Sequence, residues 1–385
     1  MIRSRVFITP NPIPASFLRG GTSKGIFINR AHLPPDPAQW DQIFLGIMGS
    51  PDPIYKRQMN GMGGGVSSLS KICVVAPSSA TDQKRDVEYT FAQVGIADDI
   101  VDYSGNCGNL SCMIGVFAMD EGICVPQRMS ATCATIRALN TNTAKVIDAT
   151  FPVARVEGSD IVTPVLDIQE TSIAGVSGMA SKIVLDFIDP SGARTGKLLP
   201  TGNPIDTISI SPTTCVRASL VDATNPTVFV LSTDFPLPSS TSHGIDHILQ
   251  HLELTRQSAA RLMKLDPSAQ AQPKIAVLSP PSPKDIESGI QIRVQALSMG
   301  VVHRAVPMTV GLCLGVAAGI ESTLAWEIIN GMGSRGKTRR EDAMVRIGHP
   351  SGIVDVGAEV SSGGTVTSAK VVRTGRRLMK GHVWW

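Results

Sequence analysis

The sequence has little charge and few aromatic side chains. Charged residues make up 17% and aromatic residues 4% of the 385 positions, and the net charge is only +3. A charge excess this small predicts neither nucleic acid nor a membrane surface as a partner, and it does not oppose a small anionic ligand. No apolar run reaches the roughly 18 residues of a membrane-spanning helix. With 42% hydrophobic residues, the composition is that of a globular protein with a large core.

The sequence also lacks paired cysteines. Its seven cysteines are odd in number and scattered, without a CxxC motif. They predict neither a disulfide framework nor a zinc ribbon, and we expect no bound metal. A reducing compartment, the cytoplasm, is the simplest interpretation. The first acidic residue is Asp36, after Arg3 and Arg5, which is a weak transit-peptide feature, but strand-like sequence begins too early for us to expect a targeting segment.

Glycine and proline, by contrast, are abundant, at 36 and 26 residues, and they divide the chain into short segments. Runs rich in β-branched residues and bounded by turn formers predict strands. These runs are SRVFI, KGIFIN, SKICVVAP, ASKIVLDFID, DTISISP, PTVFVLST, KIAVLSP and IQIRVQAL. Helical patterns cover residues 38–48, 107–120, 243–264 and 307–330. Because helices are not regularly inserted between the strands, the pattern predicts an α+β fold rather than a doubly wound parallel sheet.

An internal repeat links the two halves of the sequence. CMIGVFA at 112–118 aligns with LCLGVAA at 312–318, and TSKGIFI at 22–28 aligns with TNPTVFV at 224–230. Each half therefore has an early strand and a late helix of small residues in the same order. Such a repeat predicts two similar domains, with two helix N-termini facing one cleft.

We place the domain boundary near residue 195, within the glycine- and proline-containing stretch SGARTGKLLPTGNP. Linkers of this composition commonly separate domains. The first domain is then 1–195 and the second 196–385, and we expect the C-terminal tail to be able to pack back on the first domain.

The stretch GNCGNLSCMIGVFA begins with a cysteine between two turn-forming pairs. Asn106 is a candidate helix cap, which places Cys107 in the first helical turn. A helix N-terminus favours a thiolate and offers free N–H groups to an anion. Cys107 is therefore a candidate reactive thiol, with Asn106, Gly108 and Asn109 as anion contacts. The alternative is a small buried structural cysteine.

The stretch GMGGGVSSLSK at 61–71 combines four glycines with three serines and ends in a lysine. Glycines let backbone N–H groups approach a ligand closely. Gly64 and Gly65 are candidate ligand contacts, with Ser67 and Ser68 supplying hydroxyls and Lys71 an ammonium group at the head of a strand. The alternative is a flexible loop followed by a strand lysine.

The stretch FLRGGTSKG at 17–25 places polar side chains around a Gly-Gly turn. Arg19 is a candidate for bidentate binding of a carboxylate, and Thr22, Ser23 and Lys24 are candidate contacts beside it. The alternative is the polar tip of a hairpin.

Three stretches of the second half place a hydroxyl or imidazole beside glycine or proline: LLPTGNP, MGVVHRAVPMT and IGHPSGIV. The candidate ligand contacts in them are Thr201, Gly202, His303, Met308, Thr309, His349 and Ser351. The alternative for His303 or His349, taken alone, is a structural histidine whose hydrogen bonds are satisfied within the core.

Two further motifs point to other functions. GMGSRGKT at 331–338 matches the phosphate-binding pattern GxxxxGK[ST], but a helix-like stretch precedes it where a strand is required, so we do not expect nucleotide binding. His243, His247 and His251 are spaced four residues apart on one helix face, but no carboxylate or cysteine motif completes a metal site.

Seven of these motifs, in order, resemble the PrpF family from about residue 15 to about residue 380: FLRGGTSKG, GMGGGVSSLSK, NCGN, DPSGARTGKLLPTG, VDATNPTVFV, MGVVHRAVPMT and IGHPSG. The family belongs to the diaminopimelate epimerase-like superfamily. The resemblance implies two similar domains, each a sheet wrapped around a central helix, with the active site in the cleft between them. It also implies an isomerase of unsaturated di- and tricarboxylates that needs no cofactor, with Lys71 and Cys107 at the reacting carbon. A homodimer is the assembly that the family suggests.

The repeat distinguishes subclasses within this superfamily. Its amino-acid epimerases use two cysteines, one from each half, on opposite faces of the α-carbon. The position equivalent to Cys107 in the second half is Pro307, and Cys313 aligns near Met113, inside the helix. We therefore expect one thiol and one lysine, Lys71, as the acid/base pair, without assigning which of them takes the proton.

The resemblance implies allylic proton abstraction and return on aconitate, from cis to trans, or on 2-methylaconitate. A 4-oxalomesaconate tautomerase and a methylitaconate Δ-isomerase are the alternatives, and a non-catalytic tricarboxylate-binding homologue is a further one. Aconitate and 2-methylaconitate differ by one methyl group, which is worth only ~1–3 kcal/mol in a pocket. Nothing in the sequence identifies the residues that would contact it.

Overall fold

A computed structural model describes most of the chain. The described residues are 10–79, 85–103, 105–235, 242–269, 272–298, 301–302, 306–331, 344–361 and 365–385. The chain divides into two compact units. Unit 1 contains residues 1–185 and 373–385, and unit 2 contains residues 186–372.

Strands dominate both units, as the α+β prediction requires. In chain order the strands are β1 (Ile13–Gly20), β2 (Ser23–Asn29), β3 (Lys71–Pro77), β4 (Val87–Val94), β5 (Val101–Asp102), β6 (Arg128–Met129), β7 (Cys133–Asn140), β8 (Lys145–Arg155), β9 (Val162–Pro164), β10 (Ile183–Ile188), β11 (Asp206–Ser211), β12 (Thr214–Ala223), β13 (Asn225–Leu231), β14 (Lys274–Ser279), β15 (Ile292–Ser298), β16 (Val301–Val302), β17 (Met344–His349), β18 (Gly352–Val360), β19 (Val366–Arg373) and β20 (Gly375–Val383). The helices are α1 (Trp40–Met48), α2 (Gly108–Ser111), α3 (Ile114–Asp120), α4 (Ser242–Leu262), α5 (Pro283–Glu287), α6 (Met308–Gly319) and α7 (Leu324–Gly331).

Seven of the eight predicted strands are present, and SRVFI lies outside the described residues. The predicted helices over 107–120 and 307–330 are each broken in two. In the first, the backbone at Met113 departs from helical geometry, with φ −100° and ψ −3°. In the second, Ile320 is extended and Ser322 has a positive φ of 65°. Helical periodicity continues across both breaks, so the sequence pattern does not reveal them.

The two units repeat one order of strand pairing. In unit 1, β20–β1 and β1–β2 are antiparallel, β2–β3 parallel, β3–β4 antiparallel, β4–β7 parallel and β7–β8 antiparallel. In unit 2, β11–β12 and β12–β13 are antiparallel, β13–β14 parallel, β14–β15 antiparallel, β15–β17 parallel and β17–β18 antiparallel. The repeat seen in the sequence is therefore also a repeat of topology.

Each unit buries a helix of small and apolar residues against its own sheet. In unit 1, α3 packs on β3, β4, β7 and β8, and the Phe117 ring lies 5.6 Å from that of Phe27 on β2. In unit 2, α6 packs on β12, β13, β17 and β18, and its residues from Val310 to Ala318 are buried. A helix that is apolar on every side is typical of a central position in a core.

The C-terminal strand belongs to unit 1. β20 runs antiparallel to β1 along its whole length, from Ile13 opposite Val383 to Gly20 opposite Gly375. The boundary between the units lies at Leu185/Asp186, within β10, whereas the sequence placed it near residue 195. Residues 190–202 instead form turns at the start of unit 2.

No single helix among the described residues is long and apolar enough to cross a membrane. Only α6 and α7 taken together, bent by 63° at their junction, reach that length and composition.

Gly115 allows α3 to lie directly on the sheet of unit 1. A Cβ there would lie 2.8 Å from Ile136 Cβ and 2.8 Å from Phe151 Cε1. We expect Gly115→Ala to lower the free energy of unfolding by about 1–3 kcal/mol, because the core must shift to admit the methyl group. Urea unfolding followed by circular dichroism measures this change.

The control is Gly311→Ala in α6, where the nearest atom to a new Cβ is 3.7 Å away. Alanine favours a helix over glycine by roughly 0.5–1 kcal/mol, so this variant should be as stable as the wild type or slightly more stable. Equal unfolding midpoints for the two variants would contradict the packing assigned to Gly115.

Candidate active site

The three glycine-containing motifs of the first half meet in unit 1. The β1–β2 hairpin lies against the turn that carries Cys107 and against the strand that begins at Lys71. A Cβ on Gly20 would lie 2.5 Å from the carbonyl oxygen of Asn109, and one on Gly25 would lie 2.8 Å from that of Lys71. No larger residue fits at either position without moving the backbone, so glycine is what allows this contact.

Cys107 is the residue that precedes helix α2, not part of its first turn. Its backbone is extended, with φ −101° and ψ 91°, and its side chain makes no capping hydrogen bond. The thiol is half-buried, and its Sγ lies 3.8 Å from Ser23 Oγ. Because α2 has only four residues, Gly108–Ser111, the helix contributes less of a dipole than the predicted helix over 107–120 would.

Asn106 does not cap the helix, contrary to the expectation from the sequence. Its Oδ1 accepts a hydrogen bond of 3.0 Å from the Tyr89 hydroxyl, and its Nδ2 donates to Ser111 Oγ at 3.2 Å. Tyr89 and Ser111 are also 2.9 Å apart, and Ser111 Oγ donates to the carbonyl of Cys107 at 3.1 Å. Burial raises the pKa of Tyr89 above its ordinary value, so it remains a neutral donor. This network fixes the backbone of Cys107 through its carbonyl group.

Asn109 joins the hairpin to Arg373, a half-buried cation. Its Nδ2 donates to Thr22 Oγ1 at 3.1 Å and to Ser23 Oγ at 3.4 Å. Its Oδ1 accepts from Arg373 Nε at 3.0 Å. Burial lowers the pKa of Arg373 to about 10, and the thiols of Cys112 and Cys107 oppose that shift. Arg373 therefore places positive charge near Cys107, and no motif in the sequence pointed to it.

Lys71 is the first residue of β3 and is only 9% exposed. Its Nζ donates to Gln93 Oε1 at 2.5 Å and lies 5.0 Å from the centre of the Phe91 ring. Gln93 faces Lys71 directly across the β3–β4 pair. The Gln93 amide nitrogen in turn donates to the carbonyl of Ser70 at 2.8 Å. The ammonium group is thus held by a neutral amide that is itself anchored to the backbone.

Cys73 is a buried residue of β3, two positions after Lys71. Burial raises its pKa far above the ordinary value; Cys107 adds to that shift and Lys71 opposes it. That Lys71 and Cys107 belong to one site stays a prediction.

The glycine loop is held by internal hydrogen bonds. Gly65 has a φ of +67°, and its N–H donates to Gln58 Oε1 at 3.0 Å. Gln58 is fully buried and also donates to Ser70 Oγ at 2.7 Å. The Gly65 amide is thus occupied by the protein itself, contrary to the expectation that it faces a ligand. Gly64 is exposed.

The serines of this loop form a single turn of 3-10 helix, Ser67–Leu69. Ser67 is exposed, and its carbonyl accepts from Gln93 at 3.2 Å. Ser68 is half-buried.

Arg19 and Lys24 lie apart from these contacts. Arg19 Nη1 donates to the carbonyl of Gly21 at 3.0 Å and to both the carbonyl and the hydroxyl oxygen of Thr374 at 3.1 Å. Lys24 Nζ lies 5.7 Å from the Phe17 ring centre.

In unit 2, the candidate residues Thr201, Gly202, His349 and Ser351 lie in two turns. Thr201 Oγ1 donates to Asp206 Oδ2 at 2.7 Å, and Gly202 has a φ of +87°. His349, at the end of β17, is 7% exposed, and its Nδ1 accepts from the N–H of Ser351 at 3.2 Å. His303 lies outside the described residues.

Pro307 occupies in unit 2 the place that Cys107 occupies in unit 1, the residue immediately before the buried helix segment. Met308 and Thr309 begin α6, and the Thr309 carbonyl accepts from Thr224 Oγ1 at 3.0 Å. Cys313 is buried within α6, and burial raises its pKa to about 12. The structure therefore places no thiol at the start of this helix.

The two alternative motifs gain no support. The rings of His247 and His251 are 4.0 Å apart on α4, but the described residues contain no group of three metal-binding side chains. Most of GMGSRGKT, from residue 332 onward, lies outside the described residues.

The arrangement in unit 1 suits proton transfer beside an anion. Lys71 and Cys107 can each hold or give up a proton. Ser23, Asn109 and Arg373 are polar or cationic groups around the thiol. Gln93, Tyr89, Ser111 and Arg373 are the residues that the sequence analysis missed. The signal available in the sequence was the period-two pattern of β4. It places Tyr89, Phe91 and Gln93 on one face of the strand.

Comparison with known proteins gives a consistent result. A family model described as PrpF protein matches residues 11–385. The chain is 34% identical to 3-methylitaconate isomerase of Eubacterium barkeri, covering 97% of each chain. It is also 34% identical to 2-methyl-aconitate isomerase of Shewanella oneidensis, covering 99% of this chain and 98% of that one. The crystal structure of a methylitaconate-delta-isomerase is similar with a TM-score of 0.82, 32% identity, and coverage of 98% and 96%.

The thiols should differ sharply in reactivity. Burial raises the pKa of Cys112 and of Cys313 to about 12 and that of Cys73 well above its ordinary value. At pH 8 a thiol of pKa 12 is about one part in ten thousand thiolate. We expect iodoacetamide at pH 7–9 to label exposed Cys215 quickly and half-buried Cys107 more slowly. The buried thiols Cys73, Cys112 and Cys313 should stay unmodified.

Peptide mass spectrometry of the labelled native protein measures this order, and labelling after unfolding in urea is the control. If Cys112 or Cys313 of the native protein is labelled as fast as Cys215, the burial assigned to these thiols is wrong.

Proposed function

The chain belongs to the PrpF family, and on that premise we propose that it moves an allylic proton on aconitate or 2-methylaconitate, with Lys71 and Cys107 as its acid/base pair. Relatives along the whole chain are isomerases named for methylitaconate, 2-methylaconitate and (4E)-oxalomesaconate, so the chain is an isomerase of unsaturated carboxylates. The proposal concerns the particular substrate and the residues that act on it.

The reaction removes a proton from the carbon next to a carboxylate-bearing double bond. The electron pair left behind spreads over the former double bond and onto the carboxylate. Returning the proton to the far carbon shifts the double bond, and returning it to the same carbon after rotation converts cis into trans. The step needs one group that takes a proton, one that returns it, and donors for the charge on the carboxylate.

The observation that carries the proposal is the surroundings of Lys71, which begins β3 of unit 1. Lys71 is nearly buried, yet its partner is the neutral amide of Gln93 and not a carboxylate. An ammonium group that is not neutralised by an acid is free to exchange its proton with a substrate. Cys107 lies beside Ser23 with no capping role, so its thiol is not used to hold the structure.

Donors for the developing charge form a chain that begins at the thiol. The Ser23 hydroxyl lies 3.8 Å from Cys107 Sγ, the Asn109 amide donates to Ser23, and Arg373 donates to Asn109. Donors that are already hydrogen-bonded to the protein need little reorganisation when the charge appears. Thr201, Met308, Thr309, His349 and Ser351 of unit 2 remain proposed contacts for the rest of the substrate.

A single thiol distinguishes this site from that of a two-thiol racemase. Racemisation requires a base on one face of a carbon and an acid on the opposite face, and the position that would supply the second thiol is Pro307. A thiol–lysine pair can instead serve two different carbons of one allylic system. Methylitaconate Δ-isomerase and 4-oxalomesaconate tautomerase use the same proton chemistry and remain the alternative substrates.

Loss of either acid/base group should stop the reaction. For Lys71→Ala and for Cys107→Ser we expect turnover to fall by about 10²–10⁴-fold, because the remaining group has no partner and a hydroxyl is a far weaker acid/base group than a thiol. Proton NMR of cis-aconitate in deuterated water detects both the product and deuterium entry. The same assay is run with 2-methylaconitate, methylitaconate and 4-oxalomesaconate.

The matched control is Cys215→Ser, at an exposed thiol of unit 2, which should react at the wild-type rate. Near-normal turnover by Lys71→Ala would refute the assignment of that residue. Binding of all four acids without deuterium entry in the wild type would identify the chain as a binding protein.

Gln93 should act by positioning Lys71. Gln93→Leu removes the acceptor for the ammonium group, and we expect kcat to fall about 10–100-fold with little change in KM. Gln93→Glu restores the acceptor and adds negative charge, which favours the charged lysine, so activity should partly return with a pH–rate profile shifted to higher pH.

Thr90→Ala on the same strand is the control, since Thr90 Oγ1 bonds Thr141 Oγ1 at the surface. A purely structural role for Gln93 predicts lower melting temperatures for both Gln93 variants and no shift of the pH profile.

A further inference from the structure

Unit 1 contains a polar cavity that the proposed reaction does not use. Its volume is about 590 Å³, within the range of small-molecule pockets. The lining comes from the end of β1, the start of β20 and the segment from Pro164 to Ala180. Lys71, Cys107, Ser23 and Asn109 are not among the lining residues, so the cavity is distinct from the acid/base pair.

Two arginines face each other across the strands that form this cavity. Arg19 of β1 is directly opposite Arg376 of β20 in the antiparallel register, and both line the cavity. Residues directly opposite in an antiparallel pair point to the same side of the sheet, and like charges in that arrangement destabilise it. The strand register thus brings together two cations that repel one another.

Neither cation is neutralised by an acid in the described part of the chain. Arg19 donates only to the carbonyl of Gly21 and to the oxygens of Thr374. Arg376 is exposed, and its side chain has no hydrogen bond or ion pair with any described residue. Burial lowers the pKa of Arg19, the Cys112 thiol opposes that shift, and Arg376 adds to it, as expected for a neighbouring guanidinium group.

The other charged residues of the cavity do not supply that counter-charge. Arg377 also lines it, but both oxygens of Asp120 accept from its guanidinium, at 2.6 and 2.8 Å. The only acidic lining residue is Asp167, which is exposed and makes no described ion pair. The cavity therefore keeps an excess of positive charge.

We propose that this cavity is a second ligand site, which binds a small oxyanion, a carboxylate or a phosphate, between Arg19 and Arg376. The planar guanidinium group presents paired N–H donors that match both kinds of oxyanion. An anion between the two arginines replaces their repulsion by two attractive contacts. All the residues that line this cavity belong to unit 1.

Isothermal titration of the full chain tests this site with two probes at constant ionic strength, tricarballylate and inorganic phosphate. Tricarballylate is a saturated tricarboxylate that has no double bond to isomerise. We expect two tricarballylate sites in the wild type, one at the acid/base pair and one between the arginines. Arg376→Gln should lose one of them or weaken it at least about tenfold.

Asp167→Asn should have the opposite effect on affinity. Removing the one acidic lining residue should make the same site bind tricarballylate more tightly. Arg261→Gln is the charge-matched control, because Arg261 is exposed on α4 in unit 2, and it should leave both sites unchanged. Competition by phosphate for the site that needs Arg376 would identify a phosphate ligand, and its absence a carboxylate ligand.

The two proposals fail separately. If Arg376→Gln and Asp167→Asn both bind each probe as the wild type does, the arginine site is refuted, whatever the enzyme's activity. If the wild type binds one tricarballylate and Arg376→Gln binds none, the arginine site stands and the proposed substrate site does not. Melting temperatures confirm that each variant is folded.

Discussion

The contact of a glycine hairpin with two neighbouring backbones is the constraint on which the site depends. Gly20 lies where a Cβ would clash with the carbonyl of Asn109, and Gly25 where it would clash with that of Lys71. The hairpin therefore holds the cysteine turn and the lysine strand at fixed distances from itself. Because these are backbone contacts, their geometry does not change with side-chain rotamers, and Ser23 at the hairpin's end is placed beside Cys107.

Around this contact, neutral polar groups hold the two proposed acid/base groups. Gln93 binds the Lys71 ammonium, and Tyr89 with Ser111 binds the turn before α2. Buried polar groups that are fully hydrogen-bonded fix one geometry, whereas an acid in the same place would form an ion pair and hold the proton of the lysine. The site thus has ordered side chains without neutralised charge, which is what proton transfer to and from a substrate requires.

The secondary structure and the motif residues follow from local sequence, but the hydrogen-bond partners of those residues do not. The strands, the buried helices and the motif residues Lys71 and Cys107 were predicted from patterns within a few residues of each other. The helix cap was not: Asn106 has the right residue type for a cap, yet Tyr89 and Ser111 compete successfully for its side chain. Likewise, periodicity does not show the helix break at Met113, because the buried pattern continues through it.

The sequence by itself determined the family, the α+β class, the internal repeat and the alignment of Pro307 with Cys107, since each of these is a property of residue order. Only the tertiary structure decided which groups surround Lys71 and Cys107. Arg373 reaches Asn109 across 264 residues of sequence, and Arg19 meets Arg376 only because of the register between β1 and β20. Such partners are set by strand pairing and the return of the C-terminal strand, and a single sequence contains no periodicity that encodes them.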